Sequence, residues 1–247
     1  MPGFSSIVIT GASSGIGEAL ARDYAASGVA LALTGRDSAR LEQVAADCRA
    51  RGATVETTTI DVTDGDRLAA WLLAFDDRHP VDLVLANAGV SIDKGGTTDL
   101  EITRLTFAIN VDGVFNTVLP LLPRLEGRGR GQIGIVSSLA GFVGLPRSAA
   151  YGASKAALRV WGEGLRFVVK RRGIGVSVIC PGFVISRMTA ANPFPMPFLM
   201  GSDRASAIIR RGLARNAARI AFPFPTRAAI WLAAALPASL LAFALGG

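Results

Sequence analysis

The feature that most constrains the fold of this chain is a glycine-rich turn between an apolar stretch and a helical pattern. Residues 10–17 read TGASSGIG and follow the apolar residues 7–9; a helical pattern then runs through Leu20 and Tyr24, and residues 30–33 are apolar again. This order predicts a βαβ unit with parallel strands. Glycines at such a turn let the backbone approach a pyrophosphate, whose charge is stabilised by the free amides and dipole of the helix N-terminus. The spacing is GxxxGxG, which departs from the common GxGxxG pattern.

The alternation of apolar and helical segments continues along the chain. Half of the 247 residues are apolar, enough to bury a substantial core, and neither a low-complexity linker nor a repeat divides the chain. Near-continuous apolar strands separated by helices are typical of a parallel sheet covered on both faces. We therefore predict an α/β fold: a Rossmann-type doubly wound parallel sheet in a single domain, with an apolar C-terminal helical extension. The further predicted segments are helices at about 38–51 and 64–77 and strands at about 54–60, 81–86, 131–136 and 175–179.

Composition argues against several classes of protein. His79 is the only histidine and Cys48 and Cys180 are isolated, so the chain lacks the usual zinc ligand sets and we predict no metal. The cysteines are expected to be buried apolar groups in a reducing, cytoplasmic setting, since the N-terminus does not resemble a secretory signal. The net charge of +7 is mostly arginine, much of it late in the chain, and neither zinc-finger spacing nor an RNA-binding aromatic signature accompanies it. We expect no nucleic-acid partner.

The end of the second predicted strand indicates which cofactor is preferred. An acidic residue at this place would bind the ribose 2′-hydroxyl of NAD, but the chain has Gly35 followed by Arg36. A guanidinium can pair with a 2′-phosphate, which favours NADP(H). The adjacent Asp37 leaves NAD(H) as the weaker alternative.

A tyrosine and a lysine are spaced for proton chemistry. Tyr151 and Lys155 stand four residues apart in a segment with helical character, which places them on one face. A nearby cation stabilises the phenolate and lowers a tyrosine pKa that is ordinarily about 10. This spacing is common by chance, but Ser137-Ser138, Asn87-Ala88-Gly89 and Pro181-Gly182 each follow a predicted strand, at the sheet edge where such folds bind ligands.

From residue 10 to about 186 the chain resembles a classical short-chain dehydrogenase/reductase, on the basis of its TGxxxGxG turn, NAG motif, YxxxK pair and following Pro-Gly. The resemblance implies four catalytic residues: Asn110, Ser138, Tyr151 and Lys155. It also implies that Lys155 holds the nicotinamide ribose and that Asn110 supports a water in a proton relay. Two departures are Ala86, where the family often has asparagine, and Ser186, where many members have threonine. The expected cofactor-binding residues are Gly11, Ser13, Ser14, Gly15, Ile16, Gly17, Arg36, Asp61, Val62, Asn87, Ala88, Gly89, Tyr151, Lys155, Pro181, Gly182, Val184 and Ser186.

The function implied is an NADPH-dependent interconversion of a carbonyl and a secondary alcohol, without metal, in which Ser138 and Tyr151 polarise the oxygen and Tyr151 transfers the proton. The alternative from another class is a catalytically idle NADP-binding sensor or scaffold protein, against which the presence of all the catalytic residues argues. An epimerase or dehydratase would be expected on a longer chain.

The last third of the chain bears on substrate and partners. We expect residues 1–225 to form the catalytic domain with a lid at about 187–215, and residues 226–247 to form an apolar C-terminal segment. The apolar run 192–200 favours a lipid-like, steroid-like or aromatic substrate, or else a lid that packs on protein. Residues 228–245 lack charge and contain Trp231 and Pro237, which leaves two main alternatives, contact with the inner face of a membrane or packing in an oligomer or against the lid. Family resemblance implies a homodimer or homotetramer through the helices that flank Asn110 and Tyr151.

Overall fold

The computed structural model describes residues 3–92, 99–146, 148–190, 192, 194–237, 239 and 240. Residues 191 and 193 of the predicted lid, and residues 238 and 241–247 of the predicted C-terminal segment, lie outside this part of the chain.

Seven parallel strands form one sheet in the order β3-β2-β1-β4-β5-β6-β7. The strand order reverses between β1 and β4, and in open parallel sheets the crevice at such a point is where ligands bind. The predicted fold class is confirmed. The strands are β1 (Ser6–Thr10), β2 (Ala30–Thr34), β3 (Thr54–Thr58), β4 (Leu83–Ala86), β5 (Gly131–Val136), β6 (Ile174–Pro181) and β7 (Arg219–Phe222).

Helices cover both faces of the sheet. A single turn of π-helix (Ala108–Asp112) lies between α4 and α5, and 3₁₀ turns follow β5 (Leu139–Gly141) and the long seventh helix (Lys170–Arg172). The helices are α1 (Gly15–Tyr24), α2 (Ser38–Ala50), α3 (Gly65–Arg78), α4 (Leu100–Phe107), α5 (Gly113–Val118), α6 (Leu122–Arg128), α7 (Ala149–Val169), α8 (Arg187–Ala190), α9 (Ser202–Ala214) and α10 (Phe224–Ala234).

The sheet separates two apolar cores, and β1 shows how the sequence builds both. All five residues of β1 are buried. Ile7 and Ile9 point to the core under α1 and α2, whereas Val8 points to the core under α3 that contains Phe75. Because successive side chains of a strand point to opposite faces, an unbroken apolar run is what a doubly covered sheet requires.

The helices α9 and α10 in the C-terminal part of the chain differ in how deeply they are buried against the rest of the domain. Helix α9 buries Ala205, Ile209 and Leu213 in the core beside α1, although it belongs to the predicted lid region. Helix α10 spans the predicted boundary at residues 225 and 226, and none of its residues is fully buried. Both predicted bounds remain predictions. Cys48 and Cys180 are free and buried, as the sequence predicted.

Candidate active site

The glycine-rich turn and the NAG segment form one hydrogen-bonded unit where the strand order reverses. The Asn87 amide donates to the carbonyls of Thr10 (2.9 Å) and Gly11 (3.1 Å). The backbone amides of Asn87 and Ala88 donate to the Thr10 hydroxyl at 3.1 and 3.2 Å. A Cβ on Gly11, which has a φ of +69°, would lie 2.9 Å from the Cα of Ala88. Glycine at position 11 is therefore what lets the ends of β1 and β4 meet.

The first turn of α1 leaves its backbone amides available to a ligand. Ser14 is the N-cap residue and has an extended backbone, but its side chain accepts no hydrogen bond from the helix. A Cβ on Gly17 would lie 2.3 Å from the Gly11 carbonyl oxygen, so only glycine allows this close turn. Amides without a side-chain cap, at the positive end of a helix dipole, are suited to a pyrophosphate. The neighbouring Ile16 packs in the core under α1.

A small open cleft of about 220 Å³ lies beside this helix N-terminus. Its lining includes Ser14 and Gly15 on one side and Ser186 and Arg187 on the other. A Cβ on Gly15 would lie 2.8 Å from the Cβ of Ser186, so the segment after β6 rests directly on the glycine-rich turn. The structure thus brings the predicted cofactor residues of the glycine-rich turn together with the last one in the chain, Ser186.

The end of β2 carries the residues expected to choose the cofactor. A Cβ on Gly35 would lie 2.9 Å from the Ser13 hydroxyl, so no larger side chain fits there unless Ser13 moves. Arg36 is exposed and forms no ion pair with any of the described residues. Asp37 caps α2 by accepting from the Arg40 amide at 3.2 Å, and its carboxylate also lies 3.2 Å from Arg187.

Asp61 and Val62 follow β3, as the sequence predicted. Val62 is buried against α5, where a Cβ on Gly113 would lie 2.5 Å from its side chain. Its carbonyl accepts from the Asn116 amide at 2.9 Å. Asp61 is exposed and accepts from both the amide and the hydroxyl of Thr63.

Lys155 lies at the centre of the predicted catalytic group. Only 3% of it is exposed, and its ammonium donates to the carbonyl of Val136 at 2.9 Å and lies 5.8 Å from the centre of the Tyr151 ring. Burial lowers the pKa of the Lys155 ammonium from its ordinary 10.5 to about 8. A Cβ on Gly89 would lie 3.1 Å from this ammonium and equally close to the side-chain oxygen of Asn110. Gly89 therefore makes the space in which the two side chains converge.

Asn110 lies in the π-helical turn between α4 and α5, a feature that is frequent at functional sites. Its side-chain oxygen accepts from the amide of Val90 at 2.7 Å. Its side-chain nitrogen donates to the Val90 carbonyl and to the Ser154 hydroxyl, each at 2.9 Å. Both amide hydrogens are thus in use, and the side chain ties the end of β4 to α7, the helix of Tyr151 and Lys155.

Ser138 follows β5 and caps the 3₁₀ turn, accepting from the amide of Ala140 at 3.1 Å. Its hydroxyl is 3.4 Å from the carbonyl of Pro181, the last residue of β6. The preceding Ser137 hydroxyl donates to the backbone carbonyl of Lys155 at 2.7 Å. The ends of β5 and β6 and the first half of α7 are therefore joined by polar contacts.

The segment after β6 is short and well connected. Gly182 packs against Pro223, and Val184 is buried and pairs with Met200 in an isolated bridge. The amide of Ser186 donates to the Thr189 hydroxyl at 2.9 Å. These contacts hold Ser186 over the glycine-rich turn.

Several residues at this edge were given no role by the sequence analysis. Thr10 and Ser154 hold the NAG segment and Asn110, and Arg40 and Arg187 share the carboxylate of Asp37. Thr10 directly precedes the first glycine and Ser154 lies within the YxxxK segment, so the sequence motifs could have pointed to both residues. No local pattern marks Arg187, which is 150 residues from its partner.

Comparison with known proteins agrees with this architecture. The family model described as short chain dehydrogenase matches residues 5–194. An uncharacterised oxidoreductase from Myxococcus xanthus (strain DK1622) is 41% identical over 236 residues, which make up 92% of each chain. A short-chain dehydrogenase from Sphingobium yanoikuyae in complex with NADPH has a TM-score of 0.83 at 28% identity, covering 93% of this chain and 91% of that one. A short-chain dehydrogenase/reductase from Burkholderia phymatum in complex with NAD has a TM-score of 0.84 at 26% identity, covering 97% and 95%.

The chain belongs to the short-chain dehydrogenase/reductase family and is an oxidoreductase of that family. The family predicted from the sequence motifs is thereby confirmed. The two solved structures hold different nicotinamide cofactors, so the choice between NADP and NAD has to be argued from the residues of this chain.

Proposed function

We propose that this protein is an NADPH-dependent reductase/dehydrogenase that interconverts a carbonyl and a secondary alcohol through Asn110, Ser138, Tyr151 and Lys155. The observation that supports this most is the position of Lys155, a buried ammonium close to the Tyr151 ring and framed by Gly89 and Asn110. Burying a lysine costs free energy of folding, and such burial is expected where the charge acts on a neighbouring group.

The residues around the glycine-rich turn fit a dinucleotide. The uncapped amides of α1 suit the pyrophosphate, and the contacts of Gly11 and Gly17 leave no room for side chains that would obstruct it. Bound NADPH would supply the hydride. Lys155 has three N–H donors, of which one is used by Val136; among the described residues the other two have no acceptor, so they suit the nicotinamide ribose and a water.

The proton chemistry then falls to Tyr151. In the reductive direction its hydroxyl donates to the carbonyl oxygen while Ser138 holds that oxygen by a hydrogen bond, and the Lys155 cation stabilises the phenolate that is left. The side chain of Asn110 is occupied by Val90 and Ser154, so its part in a relay would be played by its backbone carbonyl, accepting from a water. Asn110 is a positioning residue in this scheme.

The preference for NADPH is supported by three features of the β2 end. Gly35 removes the carboxylate that would bind a ribose 2′-hydroxyl, and Arg36 is exposed beside it. Asp37, the acid that follows Arg36 in the chain, caps α2 and is neutralised by Arg40 and Arg187. A 2′-phosphate would therefore meet an arginine-rich surface.

An apolar substrate is supported by the segment after β6, where Ile185, Phe198 and Leu199 are exposed and Phe183 contacts Phe194 edge to face. A homo-oligomer is supported by exposed apolar residues on α4 and α7, among them Leu105 and Phe167.

The test is oxidation of NADPH and of NADH by the purified protein with a panel of long-chain, steroidal and small aromatic ketones, beside Tyr151→Phe and Arg36→Ala. We expect turnover that Tyr151→Phe abolishes and a KM for NADPH that Arg36→Ala raises about ten-fold, since a charge-assisted phosphate contact is lost. Turnover that survives in Tyr151→Phe would refute the mechanism. Tight NADPH binding without turnover on any substrate would favour the idle sensor instead.

A further inference from the structure

Helix α10 has two apolar faces, and only one of them packs on the part of the chain that the structure describes. Thr226, Ile230 and Ala233 are half-buried, and Ile230 contacts the small core that includes Leu139 and Cys180. On the opposite side Phe224 and Trp231 are each 67% exposed, and Leu232 is 63% exposed. The spacing 224, 231, 232 corresponds to i, i+7, i+8, which is one stripe of a helix. Leu236 and Leu240, beyond the end of α10, are also exposed.

An open groove of about 440 Å³ lined by arginines adjoins this stripe. Arg211 comes from α9, Arg215 caps the C-terminus of that helix, Arg219 comes from β7 and Arg227 from α10 itself. Arg219 is paired with Glu163, whereas the other three form no ion pair with any of the described residues. The described residues that line the groove include no acid.

Arg227 connects the two features. Its guanidinium lies over the ring of Phe224, 4.9 Å from the ring centre, so the cationic groove and the exposed apolar stripe form one continuous surface. A surface with positive charge beside exposed aromatic and aliphatic groups complements a layer of anionic phosphates over hydrocarbon.

We propose that the exposed stripe of α10 and the arginine groove form a docking surface for an anionic lipid bilayer. The helix has 11 residues and so is about 16 Å long, whereas a bilayer core is about 30 Å thick, so α10 lies in the interface and does not cross it. Phosphate headgroups occupy the arginine groove, and Phe224, Trp231 and Leu232 enter the acyl boundary. This inference does not depend on the reaction proposed above.

Two other interpretations, a contact between two copies of the chain and a membrane-spanning helix, have less support. A twofold contact between copies through the same face would bring two arginine grooves together, which like-charge repulsion opposes. The stretch Leu100–Arg128 is long and apolar enough to cross a membrane by length and composition, but half of its most apolar window is buried in the structure. Core helices pass the same test, so this stretch carries no argument for a membrane span.

Docking through α10 would place the lipid surface near the active site. Helix α10 packs on Leu139, which begins the 3₁₀ turn capped by Ser138. An apolar substrate dissolved in the bilayer would thus be close to the edge of the sheet that carries the catalytic group.

The test is co-sedimentation of the full chain with vesicles of phosphatidylcholine alone and with 30 mol per cent phosphatidylglycerol. We expect binding to the anionic vesicles only, weakened in 0.5 M salt but not by 10 mM inorganic phosphate, which separates a lipid surface from a free-phosphate site. Phe224→Ser should weaken binding several-fold, and Arg211→Gln with Arg215→Gln should weaken it about 25-fold, at about five-fold for each arginine.

Matched controls make the result specific to this face. Leu119→Ser removes a leucine that is 48% exposed just after α5, and Arg104→Gln with Arg171→Gln removes the same charge from exposed sites elsewhere. Both controls should bind as the wild type does. Equal loss in variants and controls, or no binding to anionic vesicles, would overturn the proposal. A change in solution mass caused by Phe224→Ser, with vesicle binding unaltered, would assign the face to a second copy of the chain and overturn it as well.

Discussion

The guanidinium of Arg187 lies 3.2 Å from the carboxylate of Asp37 and so connects α8 to the start of α2 beside the cleft at the glycine-rich turn. The side chain of Arg40 lies 3.4 Å from the same carboxylate. One acidic group therefore neutralises two arginines beside the place where a cofactor 2′-phosphate is expected. If NADPH binds as proposed, Asp37 lowers the attraction of this region for the 2′-phosphate, and it also connects the segment after β6 to α2.

Asp37→Asn should lower the KM for NADPH about three- to ten-fold and leave the KM for NADH nearly unchanged. The substitution releases Arg40 and Arg187 to pair with phosphate, and because the ion pairs are largely exposed the effect is only a few-fold. Asparagine caps helices as well as aspartate, so stability should not change. Steady-state kinetics with both cofactors measures the effect.

The control for this prediction is Asp64→Asn, since Asp64 caps α3 in the same way by accepting from the amide of Arg67. It should leave both KM values as they are. A KM that falls equally for NADPH and NADH in Asp37→Asn would mean that the lost ion pair loosens the cleft as a whole and does not act on the 2′-phosphate.

Gly89→Ala should lower kcat by ten-fold or more with little change in stability. The added Cβ would lie 3.1 Å from both the Lys155 ammonium and the Asn110 side-chain oxygen, so one of the two must move. A displacement of this size at a catalytic group commonly costs one to two orders of magnitude in rate. The control is Gly127→Ala, where the new Cβ meets open space. Unchanged kcat in Gly89→Ala would show that Lys155 is not held where the mechanism needs it.

Much of the fold could be predicted because its signals are local. The burial of β1 follows from its unbroken apolar run, β5 has the predicted bounds, and the glycine-rich turn lies where the first strand meets the first helix. The strand β7 was not predicted, because it has four residues and begins at an exposed arginine, too little for a periodic pattern.

The site was harder to predict than the fold because its contacts join distant segments. The spacing of Tyr151 and Lys155 is visible in the sequence, but the bond from Asn110 to Ser154 depends on how α4 and the π-helical turn pack on α7. The pairing of Arg187 with Asp37 likewise has no local signal. Motifs therefore named the candidate site residues, and the tertiary structure was needed to find which residues hold them in place.

Lys155→Met should stabilise the cofactor-free protein below pH 8 and lose this advantage as the pH rises to 10.5. Burial lowers the pKa of Lys155 in the folded state to about 8, from the ordinary 10.5 expected in the unfolded chain. Protonation of Lys155 therefore favours unfolding. The loss of folding stability that the buried charge causes is absent above pH 10.5, grows as the pH falls and is complete below about pH 8.

The shift corresponds to at most about 3 kcal/mol, and the lost hydrogen bond to Val136 offsets about 1 kcal/mol of it. We expect a Tm higher by roughly 3–8 °C at pH 7 in calorimetry, and little difference at pH 10.5. The exposed Lys170→Met should not show this pH dependence. A gain that is the same at both pH values would mean that Lys155→Met acts through packing and not through charge.

Asn110→Ala should cost both stability and rate. Its side chain is fully buried and forms hydrogen bonds with the Val90 amide, the Val90 carbonyl and the Ser154 hydroxyl. Removing it leaves the buried backbone groups of Val90 without these partners, at a cost of about 2–4 kcal/mol. Asn116→Ala, on the adjoining α5, loses one bond to the Val62 carbonyl and should cost about 1 kcal/mol. Denaturant unfolding measures both values.

The rate separates positioning of the catalytic group from a purely structural role. At 15 °C, where both variants remain folded, kcat should fall at least ten-fold in Asn110→Ala with KM for the substrate unchanged. The reason is that Asn110 holds Ser154, and Ser154 lies on α7 beside Tyr151 and Lys155. The pH profile of kcat should also shift, since the surroundings of the Lys155 ammonium change. If Asn110→Ala is destabilised but keeps the kcat and the pH profile of Asn116→Ala, Asn110 only holds β4 against α7 and has no part in proton transfer.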